Sequence, residues 1–217
     1  VIKWDVINFT LTRLEINFII MRIGINIDGV LRNLLGKLTT TFEKYFDKEV
    51  SVEDIKDYDL EKYFEFNDED SLDKLLYEDC SLEIFGYSSE IEDQVVTKLN
   101  NFIRENLDKN EIVLLSRECG RAIPSTLFFL SKTGCMAKEI KFVSSYEEMW
   151  DHCDILVSTF PKALESKPMD KKSIKINRLY NKDIVSDYNI DKTVDLFEEG
   201  YIDKIINTKT VEHKELN

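Results

Sequence analysis

Four short stretches place hydrogen-bonding or charged side chains directly after apolar, strand-like runs: Asn26-Ile27-Asp28-Gly29, Ser116-Arg117-Glu118, Ser158-Thr159-Phe160-Pro161 and Asn177-Arg178. The chemistry on offer is that of an oxygen-rich crevice. Asp28 brings a carboxylate suited to acid–base work, or Asp28-Gly29 is a turn in which glycine takes positive φ. Ser116 is a hydroxyl donor to an anion, or the N-cap of a following helix. Arg117, Arg121 and Lys132 either attract a phosphate together or are solvated surface charges. Cys80, Cys119, Cys135 and Cys153 form no Cys-x-x-Cys pair, and His152 beside Cys153 has no ligand-spaced companions, which argues against zinc fingers and ribbons. The four cysteines read as reduced thiols, not a disulfide scaffold.

Elements able to position these residues follow from periodicity. Residues 22–27 are a β-branched apolar run of buried-strand type, and 111–116, 139–143, 154–159 and the short 173–177 read as further strands. Between them lie helical patterns: Leu31, Leu34, Leu35, Leu38, Phe42, Tyr45 and Phe46, then an acidic stretch over 51–100 opened by a capping-box-like Ser51-Val52-Glu53-Asp54. A helix is predicted over 89–107 with Ile91, Val95, Leu99, Phe102 and Ile103 on one face. Others follow over 124–132, 145–152 and, in the charged C-terminal stretch, 191–206. Strands alternating with helices predict βαβ units, hence a parallel sheet covered on both faces. In such sheets ligands bind outside the carboxyl ends of the strands, where the four stretches sit.

With 217 residues, 43% of them hydrophobic and 11% aromatic, the chain has material for one sizeable core. Asp and Glu number 42 against 29 Lys and Arg, a formal net charge of −13, which argues against a general nucleic-acid binder. The apolar N-terminal stretch 1–20 is interrupted by Asp5, Asn8, Arg13, Glu15 and Asn17, so neither a secretory signal nor a membrane span is expected, and a cytoplasmic location is. Residues 1–20 are an extension that pairs as a strand or docks on a partner, or a translation-start artefact.

The words Ile23-Gly24-Ile25-Asn26-Ile27-Asp28-Gly29-Val30-Leu31-Arg32, Asp57-Tyr58-Asp59-Leu60-Glu61-Lys62-Tyr63-Phe64, Asp154-Ile155-Leu156-Val157 and Asn177-Arg178-Leu179-Tyr180-Asn181 together resemble the haloacid dehalogenase (HAD) superfamily, nearest its 5′(3′)-deoxyribonucleotidase-like bacterial and phage members. The resemblance spans about 21–182. It implies an α/β fold: a HAD-like (Rossmann-like) parallel sheet flanked by helices, with a core of 21–32 and 106–182, a helical cap over 33–105 and a charged helical tail over 183–217. It also implies a nucleophilic Asp, a second Asp as acid/base, a Ser or Thr and a Lys on the phosphoryl group, and an acidic pair for Mg²⁺.

Carried over residue by residue, that pattern is altered. Asn26 stands at the nucleophile position, Asp28 keeps the acid/base position and Ser116 the hydroxyl position. No Lys falls near 124–126; Lys132 lies two helical turns on. The metal pair falls on Ser158 and Thr159, and Asn177 stands where relatives often carry Asp. An amide is a poor nucleophile and brings no charge to a divalent ion. The resemblance therefore implies a HAD-like protein that has lost catalysis, holds no metal at Ser158 and Thr159, needs no cofactor, and acts by binding a phosphorylated small molecule (with Ser116, Arg117 and Lys132 as anion contacts) or a protein partner. An accessory phage role, in host cytoplasm or virion, fits the same relatives. Two alternatives stand beside this. One is an active Mg²⁺-dependent 5′-nucleotidase using Asp28, a water and Asp154 or Asp151. The other is an interaction protein whose acidic run 65–79 meets a basic partner. Tyr58, Tyr63, Phe64 and Phe66 line a nucleobase slot under the cap or pack its core.

Overall fold

The computed structural model describes residues 20–106 and 109–208. The extension expected over 1–20 lies, except for Ile20, outside the described residues, as does the end of the C-terminal segment from 209. Six parallel strands form one sheet in the order β3-β2-β1-β4-β5-β6: β1 (Met21–Asn26), β2 (Asn110–Ser116), β3 (Glu139–Phe142), β4 (Ile155–Ser158), β5 (Lys172–Ile176) and β6 (Tyr188–Ile190). The strand order reverses between β1 and β4, and this switch point opens a crevice at the carboxyl ends of the central strands. The helices in chain order are α1 (Leu34–Phe46), α2 (Leu72–Lys74), α3 (Val95–Glu105), α4 (Ala122–Lys132), α5 (Pro161–Glu165) and α6 (Tyr201–Asn207).

The register keeps the central strands level: Ile25 lies opposite Leu114 on one side and Val157 on the other. Side chains alternate across the sheet. Ile23, Ile25, Leu114 and Val157 join α3 and α6 residues in one core cluster, while Val113, Leu115 and Leu156 pack with Met149, Trp150 and Phe160 on the opposite face. Trp150 is buried, and its indole N–H donates to the Ala163 carbonyl at 2.8 Å. A third cluster, built from Leu38, Phe42, Ile55, Phe64, Leu75 and Phe85, belongs to the cap.

Two expectations need correction. The helix α3, assigned by sequence to the cap, packs its Val95, Val96, Leu99, Phe102 and Ile103 into the sheet's own core; its apolar stripe is as well suited to a sheet as to a cap, so periodicity alone does not choose. The segment after 182, expected as a helical tail, contributes strand β6 and the buried Ile190, Leu196, Ile202 and Ile205 to that same core. Three residues give β6 too little length for an alternation signal. The acidic stretch after 51 is less regular than a helix: single 3-10 turns at Val52–Asp54 and Leu60–Lys62, then two π-type turns at Leu75–Asp79 and Leu82–Gly86. In the last, the Tyr87 amide bonds to the Leu82 carbonyl five residues back.

Gly24 in β1 is required by close approach. A Cβ there would lie 2.7 Å from Leu115 Cδ1 and 2.8 Å from Cys153 Sγ. Gly24→Ala is expected to cost about 1–3 kcal/mol through overpacking, read as a lower urea midpoint at unchanged m-value; an unchanged midpoint would mean that Leu115 and Cys153 move aside freely.

Candidate functional site

The loop after β1 is wound tightly by its own amides. Leu31 and Arg32 N–H both donate to the Ile27 carbonyl at 2.9 Å, and Gly29 N–H donates to the Arg32 carbonyl at 2.9 Å, with Gly29 at φ 75°. This winding turns the Arg32 side chain back over Asp28. Arg32 is fully buried, and its guanidinium makes four donor contacts. Nε donates to Asp28 Oδ1 at 2.6 Å, Nη1 to Thr126 Oγ1 at 2.8 Å and to the Phe85 carbonyl at 3.0 Å, and Nη2 to Glu118 Oε1. The guanidinium carbon sits 5.0 Å from the Phe85 ring centre and 5.4 Å from that of Phe129, within cation–π range. The oxygens facing it come from the β1 loop, the β2 loop, α4 and the cap.

Glu118 is buried, and both burial and the neighbouring Asp28 carboxylate push its carboxyl well above the usual carboxylate range, with Arg32 pulling the other way. Glu118 therefore holds its proton more tightly than an ordinary carboxyl, beside the one cation of the cluster. Asn26 is fully buried with both Oδ1 and Nδ2 unpartnered. An ionised Asp in that position would carry a large desolvation penalty with no donor to offset it.

The other strand ends are laced by short turns. Ser116 Oγ accepts from Glu118 N–H at 3.1 Å and Ser158 Oγ from Phe160 N–H at 3.0 Å, the same turn at the ends of β2 and β4. Ser116 does not cap a helix, since α4 begins at Ala122. Thr159 lies against the Asp28 carbonyl at 3.5 Å, and Asn181 Nδ2 donates to the Thr159 and Ile176 carbonyls at 2.8 and 3.0 Å. Arg178 Nη2 donates to the Gly29 carbonyl at 3.1 Å.

The structure brings Asn26, Asp28, Ser116, Ser158 and Thr159 to the carboxyl ends of the strands, all buried. It does not bring Arg117, Arg121 and Lys132 together. Arg117 stacks 4.2 Å above the Tyr146 ring, Arg121 Nη1 donates to the Glu78 carbonyl at 3.2 Å, and Lys132 Nζ donates to the Ser88 carbonyl at 2.9 Å. Asn177 points away, to Asp191 Oδ1 at 2.7 Å. Asp154 caps the opposite end of the sheet, accepting from Arg22 N–H at 2.8 Å, and Asp151 is exposed. Tyr63, Phe64 and Phe66 belong to the cap's cluster, with Tyr58 against its margin. All four cysteines are unpaired.

Sequence reasoning missed Arg32 and Glu118. Arg32 was inside a quoted word, four residues after Asp28 at helical ion-pair spacing, which was the available signal. It also missed Tyr77, Tyr146 and Tyr180, which join Tyr58 near the buried acids. Tyr58, Tyr77, Tyr146 and Tyr180 all have their ionisation pushed up, first by burial and further by the charge of Asp28, with Tyr180 reaching about 12. Between cap and core, next to the buried acids, lies a cleft of about 840 Å³ lined by Tyr58, Arg117, Tyr146, Phe160, Lys162 and Tyr180 among others. Tyr58 meets Phe160 edge-on at 4.7 Å. None of Asn26, Asp28, Ser116, Ser158 or Thr159 lines the cleft.

The Mg²⁺ that the sequence resemblance implies does not fit these residues. The metal-pair positions hold hydroxyls, with Ser158 Oγ spent on a backbone amide and Thr159 Oγ1 against the Asp28 carbonyl, and the Asp28 carboxylate is taken by Arg32. Among the described residues no three His, Cys, Asp or Glu side chains gather as a metal site.

No family model and no curated protein matches the sequence. Solved structures do match in shape. The HAD hydrolase YfnB of Bacillus subtilis, bound to magnesium, has a TM-score of 0.53 and 10% identity, covering 82% of this chain and 97% of that one. A dehalogenase follows at 0.49 and 10% identity over 82% and 96%. A haloacid dehalogenase-like hydrolase from Burkholderia xenovorans has 0.48 and 13% over 83% and 96%. The fold is thus HAD-like, a Rossmann-like parallel sheet flanked by helices. Among the described residues no helix is long and apolar enough to cross a membrane.

The upward shift of Glu118 has a measurable consequence. Folded Glu118 keeps its proton at pH values where the unfolded chain has released it, so the stability it contributes is complete below about pH 4.3 and declines as pH rises toward the raised value. Glu118→Gln is expected to flatten the fall in stability above about pH 4.3, removing up to about 1.4 kcal/mol per pH unit between the unfolded and the raised folded value. Parallel urea melts of the two proteins across that range check this; identical slopes would place no titrating proton on Glu118.

Proposed function

We propose that this is a HAD-fold protein that does not hydrolyse phosphate esters and acts by binding a ligand in the cleft between cap and core. The observation that carries the reading is the filled crevice: Arg32 occupies the space beside Asp28 where a phosphoryl group and its attacking residue would have to meet. The neutral Asn26, with no nucleophilic oxygen anion, and the hydroxyls at Ser158 and Thr159 support it from the side of reactivity.

The cleft supports the binding half of the reading. Its aromatic rings offer faces and edges for a planar apolar group, and among lysines and carboxylates on its wall, Asp57, Asp59 and Glu61 included, Arg117 stacks on Tyr146 as a cation beside those rings. Its phenols stay protonated at neutral pH and so are hydrogen-bond donors to an acceptor-rich ligand. A ligand with a planar ring and an anionic arm matches that lining. A phosphorylated small molecule is one such ligand, held by Arg117 and not by Ser116 or Lys132.

Two measurements test this. Release of phosphate from deoxynucleoside monophosphates and from para-nitrophenyl phosphate, with millimolar Mg²⁺, is expected to stay at the no-protein background. Asn26→Asp is expected to leave it there, because one carboxylate neither restores a metal pair nor displaces Arg32. Turnover on the scale of ordinary phosphatases, about 1 per second or faster, would sink the proposal. In a thermal-shift panel of nucleoside monophosphates and aromatic carboxylates, any compound that raises the melting temperature is expected to lose its effect in Arg117→Ala.

A further inference from the structure

We infer that Arg32 is the resident cation of the crevice: its guanidinium fills an oxygen-lined site made by the Asp28 and Glu118 carboxylates, the Thr126 hydroxyl and the Phe85 carbonyl, and in filling it fastens the cap to the core. The misfit with a divalent ion points this way. Two carboxylates buried side by side need a positive charge between them. The fold meets that need with a side chain of its own, fully buried, while the positions expected to bring a metal are neutral.

The site is built like a cation site in every respect except its occupant. Four oxygens converge on one positive group, and they belong to four different segments. Glu118 Oε2 and Asn26 Oδ1 are further buried oxygens with no partner. Hard divalent ions take oxygen ligands of these kinds, carboxylate, carbonyl and hydroxyl, and complete their shells with water. Removing the guanidinium leaves a cavity with two carboxylates at its wall and room for an ion and waters.

The Phe85 contact gives the cation a second effect. Phe85 lies in the π-type turn Leu82–Gly86 of the cap, whereas Asp28, Glu118 and Thr126 belong to the core. One guanidinium thus ties cap to core through a bond that is shielded from water. This inference does not depend on the absence of catalysis, and phosphatase turnover would leave it standing.

The experiment is thermal melting of wild type, Arg32→Ala and Arg32→Ala with Glu118→Gln. Each is run at matched ionic strength in sodium chloride alone and with millimolar magnesium, calcium or guanidinium chloride. Arg32→Ala is expected to melt roughly 6–20 °C below wild type, as for a broken buried ion pair in a chain of this size. Magnesium, calcium and guanidinium are expected to recover several degrees in this variant, over and above any shift they cause in wild type. The double variant, relieved of one carboxylate, is expected to melt above Arg32→Ala in sodium chloride and to gain nothing further from divalent ions. If Arg32→Ala does not accumulate in soluble form, the same comparison is made as the yield of folded protein on dilution from urea. Equal salt responses in Arg32→Ala and wild type, or divalent recovery that persists in the double variant, would overturn the inference.

Discussion

Three ionisable groups lie together in the interior: one guanidinium and two carboxyls, with Arg32 fully buried and Asp28 and Glu118 nearly so. Such a cluster is stable only if every charge has a partner and the net charge is small, since an unpaired buried ion costs several kcal/mol. Arg32 meets the first condition with bonds to both acids, a hydroxyl and a carbonyl. Burial and the neighbouring Asp28 charge favour the second by raising the Glu118 carboxyl toward its neutral form. Phe85 and Phe129 bracket the guanidinium with ring faces that tolerate a cation and exclude water. The chain must therefore bring the β1 loop, the β2 loop, α4 and the cap to one point, because each contributes a partner that the others cannot replace.

The loops around this point show how that is done. Positive φ at Gly29 lets the backbone double back, and two amides on the Ile27 carbonyl fix Arg32 over Asp28. At the ends of β2 and β4 a serine hydroxyl accepts the amide two residues on, so each strand stops at a defined residue and the next side chain is aimed. After Ser116 this directs Glu118 inward. After Ser158 it puts Phe160 into the aromatic wall of the cleft. Asn181 and Arg178 then tie the β5 loop to its neighbours. The hydroxyls of Ser116, Ser158 and Thr159, at positions where the resemblance places phosphate and metal contacts, serve the backbone here.

The sheet was legible in the sequence because its strands alternate with helical patterns and its central strands are apolar, and five of the six were located within a residue or so of their observed ends. The sixth is three residues long and carries no periodic signal. The placement of α3 on the sheet was not legible, since one amphipathic stripe suits two surfaces. In the candidate site, the strand-end positions of Asn26, Asp28, Ser116, Ser158 and Thr159 could be read from the ends of the runs. The partnership of Arg32 with Glu118 could not, because the two are 86 residues apart and a charged residue in a sequence is more often solvated than buried. The separation of Arg117, Arg121 and Lys132 has the same origin: their distances depend on loop paths that composition does not encode.

A crevice that hydrolyses phosphate esters must let a hydrated anion and a divalent ion in and out, so its acids have to be reachable by water at some stage of each turnover. The acids of this crevice are held in a dry cluster whose stability depends on excluding water, and whose cation is covalently part of the chain. The two conditions oppose each other: opening the cap far enough to admit a metal ion would strip Arg32 of its Phe85 contact and hydrate the carboxylates it neutralises. The cleft beside the cluster is under no such conflict. It is open, rings and charges of both signs line it, and burial, with a smaller effect from Asp28, raises the ionisation of Tyr58, Tyr146 and Tyr180 on its wall. On the function proposed above, a ligand entering there would meet phenolic donors beside a buried anion that it never needs to touch.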